Sequence, residues 1–178
     1  MSNRKDPEGG ISSTQTERTG IPDRAKEFIS LKNPLQHGSN CRIILIDPDD
    51  IPYIWDHIQP HLEAMAPHSE GELEPDDFFE GIANETMQLW VAVEDNEMLA
   101  SMVTMIVPYP RKKVLRIISI GGSGMEKWID YIPLIENWAL SVGCTSLECW
   151  GRKGWLKVLK DWKCSYHIIT KDLTARMH

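Results

Sequence analysis

Apolar residues recur along this chain in two rhythms, and the switches between them mark out the elements. CRIILID (41–47) is short and nearly all apolar, as a buried strand would be. Asp49 and Asp50 offer helix caps, and Ile51, Ile54, Ile58, Leu62 and Met65 then keep a helical stripe. Pro52 is tolerated in a first turn, whereas Pro60 is expected to kink or divide that helix. A second short helix follows Pro75. MQLWVAVED (87–95) and MLASMVTMIVPY (98–109) read as strands joined by a tight turn at Asn96 and Glu97, and VLRIISIG (114–121) as a third. Trp128, Ile132, Ile135, Ala139 and Val142 restore the helical spacing up to Gly143, with Pro133 expected to kink it. TSLECWG (145–151) predicts a strand, WLKVLKDW (155–162) a short helix and SYHIITKDL (165–173) a last strand. The order is β-α-α-β-β-β-α-β-α-β, without an internal repeat.

Residues 1–40 follow neither rhythm. They are rich in Ser, Thr, Gly, Pro and charge, with Phe28, Ile29, Leu31 and Leu35 among their few apolar groups. Such a segment buries too little to offset its chain entropy, so it reads as an extended or disordered partner-binding arm before a domain spanning 41–178.

Composition narrows the class. At 178 residues the chain can bury a proper core. No run nears the roughly 20 apolar residues that span a bilayer, and MSNRKDPEGG carries no apolar signal segment, so cytoplasmic synthesis and no membrane partner are expected. A net charge of −7 argues against broad nucleic-acid binding. Positive charge gathers at Arg111, Lys112 and Lys113 and again from Arg152 to Lys163, where Lys153, Lys157 and Lys160 would share a helix face that is either solvated or open to a phosphate. Cys41, Cys144, Cys149 and Cys164 lack metal or redox spacing and read as reduced thiols. His57 and His61 stand four apart, yet no third ligand is evident, and no metal is expected.

The candidate chemistry centres on Ser119-Ile120-Gly121-Gly122-Ser123-Gly124, where a strand gives way to a helix. Glycines there suit consecutive N–H groups turned towards a phosphate, and equally a tight turn. The element order together with this loop resembles the GNAT superfamily of acetyl-CoA-dependent N-acetyltransferases over roughly residues 41–173. The resemblance implies an α/β (α+β) fold whose mixed, mostly antiparallel sheet is flanked by helices. It implies that Ile118 and Ile120 lie along the pantetheine arm of acetyl-CoA, and that Gly121, Gly122, Ser123 and Gly124 meet its pyrophosphate. The leading Gln/Arg of the family's loop motif is missing.

Acyl transfer to an amine also needs a base and an acid. Glu148, on the fifth strand, is the candidate base, pointing either into the cleft or to solvent, with Asp47 and Asp49 behind it. The family's acid is commonly a tyrosine in the last helix, where this chain has Leu159, a residue suited to the core. Tyr166 or Cys164 would have to substitute. The texture of GMEKWIDYIPLIENWALSVGC and LECWGRKGWLKVLKDW is similar to small GNAT-like proteins of tailed bacteriophages. That resemblance implies a virion or assembly component. It would be made in a host cytoplasm and then carried in the virion, binding other phage proteins through its arm, with a homo-oligomer left open. The alternative is a working N-acetyltransferase acting on a host or phage amine.

Overall fold

A computed structural model describes residues 41–65, 71–95, 97–151, 153–165, 168–171 and 173. The expected arm, residues 1–40, lies outside them, as do Tyr166 and the side chain of Lys153. Five strands form one sheet in sequence order: β1 (Arg42–Leu45), β2 (Met87–Glu94), β3 (Glu97–Tyr109), β4 (Lys112–Gly122) and β5 (Ser146–Cys149). Strands β1 to β4 pair antiparallel, whereas β5 lies parallel to β4. This is the mixed, mostly antiparallel sheet flanked by helices that the resemblance implies.

Helices α1 (Ile51–Met65) and α2 (Pro75–Ala83) cover one face. Ile51, Ile54, Ile58 and Leu62 pack there with Leu89, Val91, Val93 and Val103. The other face is covered by α3 (Met125–Trp128), a 3-10 turn (Ile129–Tyr131) and α4 (Ile132–Ser141), with Trp128, Ile132, Ile135 and Ala139 over Trp90, Met102, Leu115 and Ile117. Pro133 therefore opens α4 in its first turn instead of kinking a longer helix.

Three expectations are corrected. Helix α1 runs unbroken through Pro60, which sits on the exposed side with Asp56, so the lost backbone bond falls where water can replace it. The segment read as a helix over 155–162 forms only a 3-10 turn (Lys153–Lys157) and further turns. Residues 168–171 run in no strand, so β5 is the edge of the sheet among the described residues. Leu159 is nevertheless core, at 9% exposure. Leu159→Ala is expected to cost about 2 kcal/mol, the lower end for buried leucines because one side of the residue is near solvent. Urea unfolding would measure it.

Candidate functional site

The site begins with an irregularity in β4. Thr104 pairs with Ile117 and Val103 with Ser119, so Ile118 is an extra residue, a β-bulge that bends the strand. On its other side β4 pairs with β5 only from Val114 to Ile117. Past that point β4 continues to Gly122 while β5 ends at Cys149. A cleft of about 350 Å3 opens where the strands part, lined by Ile118, Ser119 and Ile120 from β4, by Trp150, Gly151 and Trp155 beyond β5, and by Met65, Glu72, Leu73 and Phe78 from the α1–α2 layer.

Arg116 and Glu148 flank this opening in register with each other. Arg116 Nε donates to Glu148 Oε1 at 2.5 Å, its Nη2 donates to the Tyr109 hydroxyl at 2.9 Å, and its guanidinium stacks 4.0 Å above the Trp150 ring. Both charged side chains are 16% exposed. Glu148 thus points neither freely into the cleft nor simply to solvent: it holds an arginine. Leu147 and Cys149 turn to the opposite face, as strand alternation requires. Burial pushes the Cys149 thiol up to about 11, which keeps it a thiol and a poor nucleophile at neutral pH.

The glycine loop is held by close backbone packing over its first two residues. Gly121 and Gly122 are still strand, paired with Ser101 and Ala100. A Cβ on Gly121 would stand 2.7 Å from the His61 carbonyl oxygen of α1, and one on Gly122 only 2.3 Å from that of Leu99. Ser123 N donates to Leu99 O at 2.7 Å. Gly124, at φ 62°, starts a helix of a single turn, and the nearby Lys127 is bound to Glu94. Backbone packing therefore accounts for Gly121 and Gly122, and the amide of Ser123 is already used.

The remaining candidates separate. Asp47 caps the turn before α1 by accepting from Asp49 N at 3.0 Å. Cys164 is exposed. His57 is exposed, while half-buried His61 places Nδ1 3.2 Å from the buried Ser101 hydroxyl. No cluster of metal-ligating side chains occurs among the described residues. Sequence reading missed Arg116, Trp150 and Trp155, and gave Ser119 no role beyond its place at the head of the glycine stretch.

Burial lowers the His61 pKa. The unfolded chain then binds the extra proton more readily, so this contribution to stability is present above the ordinary histidine value and is lost as pH falls below it. His61→Gln is expected to flatten that part of the stability–pH curve, as measured by urea unfolding between about pH 7 and 5.

No protein-family model matches the chain, and no curated protein sequence does. Solved structures do, with 101 matching chains. A predicted acetyltransferase from Clostridium acetobutylicum, solved with acetyl-CoA, aligns with TM-score 0.55 at 15% identity over 78% of this chain and 99% of that one. An aminoglycoside acetyltransferase from an uncultured soil metagenomic sample, in complex with sisomicin, gives 0.54 at 10% identity over 75% and 97%. A GNAT family acetyltransferase from Staphylococcus aureus gives 0.54 at 9% over 75% and 99%. The chain has the GNAT acetyltransferase fold.

Proposed function

We propose that this protein transfers an acyl group from acetyl-CoA to a cationic amine in the cleft between β4 and β5. The observation that carries the reading is the bare edge of β4 beyond Ile117, bulged at Ile118 and opening on that cleft. Pantetheine is an extended arm bearing two amides, so it can pair with a free strand edge much as another strand would. When bound, acetyl-CoA supplies an activated thioester carbonyl. Ile118 and Ile120 orient the arm, and Trp150 and Trp155 exclude water from it.

The acceptor's charge follows from an asymmetry in the chain. Residues 43–110 contain no Lys or Arg, yet they hold more than half of the 26 Asp and Glu. Those residues build β2, β3, α1, α2 and all of β1 but Arg42, and Glu72 lies in the cleft wall, where the charge of Arg116 is met by Glu148. A negative field of this kind draws cations and raises their local concentration. A polyamine or an aminoglycoside-like amine fits it better than an acidic acceptor.

Acetyl-CoA at a hundredfold over its dissociation constant is expected to add about 2.7 kcal/mol of stability, read as a rise in melting temperature. Absence of any rise at millimolar acetyl-CoA would remove the reading. The virion or assembly role, with its phage partners and virion location, draws on residues 1–40 and on the texture of two segments, and the structures compared lend it no support. It remains a proposal about the arm, tested by whether a chain lacking residues 1–38 keeps its melting temperature yet loses a binding partner.

A further inference from the structure

We propose that Ser119 is a ligand-binding residue of this cleft, its hydroxyl donating a hydrogen bond to the carbonyl oxygen of the acyl thioester. This rests on the acyl-transfer reading and goes a step past it, to the group that polarises the reacting carbon.

Ser119 is 4% exposed, and its Oγ is the buried side-chain oxygen that lacks a hydrogen-bond partner among the described residues. The other buried hydroxyls have theirs. Ser101 meets His61 Nδ1, and Thr104 Oγ1 accepts from Trp90 Nε1 and donates to Gln88. A hydroxyl buried without a partner destabilises a fold relative to an apolar group of like size, so packing alone gives no reason for serine at this position.

Its location supplies the reason. Ser119 lines the cleft and directly follows the bulge residue Ile118. Its paired residue Val103 belongs to the core beneath α1 and α2, which places the Ser119 side chain on the sheet face that carries the acidic acceptor layer. An amine approaching from that layer and a thioester lying along β4 would meet beside this oxygen.

The chemistry fits a donor that keeps its proton. Once the ammonium has given one proton to solvent water, the neutral amine nitrogen adds to the carbonyl carbon, a C–N bond forms and the carbonyl oxygen gains negative charge. The C–S bond then breaks with its electron pair going to sulfur, the nitrogen's extra proton passes to the thiolate, and the products are an amide and a thiol. The Ser119 hydroxyl is not consumed. Its hydrogen bond strengthens only while the oxygen is negative, which is the condition for accelerating the reaction and not merely binding.

The test uses the full chain, [1-13C]acetyl-CoA as the cofactor probe and spermidine as the amine probe, with Ser119→Ala, Ser119→Thr and Ser119→Cys. Ser119→Cys covers the case in which Ser119→Ala fails to fold. Expected are similar acetyl-CoA affinities, a carbonyl band at lower wavenumber when bound to wild type than to Ser119→Ala, and a single-turnover rate about 100-fold lower in Ser119→Ala. Ser119→Thr should recover much of both. If wild type and variant bind acetyl-CoA with the same carbonyl band, the Ser119 assignment is overturned while the acyl-transfer reading stands. If wild type binds no acetyl-CoA, the acyl-transfer reading falls first and this one with it.

Discussion

Gly122→Ala is expected to destabilise the protein by about 4 kcal/mol, while Gly124→Ala, two residues on, costs only about 1. The two glycines look alike in sequence and both have positive φ, at 119° and 62°. A Cβ on Gly122 would lie 2.3 Å from Leu99 O and 2.5 Å from Ala100 Cα, all backbone, so β3 and β4 would have to part to admit it. At Gly124 the nearest atoms are 3.5 Å away and belong to flexible side chains of Leu99 and Lys127. Its conformation is also the left-handed one that a non-glycine residue reaches at modest cost. Urea unfolding of both variants measures the difference. Equal losses would mean that loop conformation, and not contact with β3, dictates these glycines.

Arg116→Ala is expected to cost about 3 kcal/mol, and more than the double variant Arg116→Met with Glu148→Leu. Alanine leaves the Glu148 carboxylate largely buried and unpaired, removes the bond to Tyr109 and uncovers the Trp150 ring. The double variant removes both charges and restores apolar contact, so the desolvation penalty disappears with the attraction. Because the two side chains keep some solvent access, the figure sits at the lower end for buried pairs. Chemical denaturation of the single and double variants decides it. A single variant no worse than the double would show that Glu148 is adequately solvated without its arginine, and the pair would then be a surface ornament of the cleft.

Periodicity alone made the frame of the molecule legible. The stripe of Ile51, Ile54, Ile58 and Leu62, the apolar runs of β2 to β4 and the stop at Gly143 all recur in the structure, because each depends on which face of a local element must leave water. Even the burial of Leu159 could be read this way, although the helix expected around it shrinks to turns. The acidic stretch from 43 to 110 was equally present in the sequence. What it meant depended on knowing that those residues build one side of a cleft.

The site itself was decided by contacts between residues far apart in the chain. Gly121 is glycine because the His61 carbonyl of α1 presses on it, and Gly122 because β3 does. Neither neighbour is visible from the loop, so local pattern left a phosphate cradle and a tight turn equally open. Glu148 meets Arg116, 32 residues away, only because β5 lies parallel to β4 in one register, and a shift of one residue would have sent the two side chains to opposite faces. Ser119 is an ordinary polar residue in a strand until the bulge at Ile118 and the end of β5 leave its hydroxyl buried and unpartnered in a residue that lines a cleft. Sequence fixes which faces are apolar because that is a property of single elements. Registry, bulges and strand divergence arise from how several elements share one core, and in this protein those features make the site.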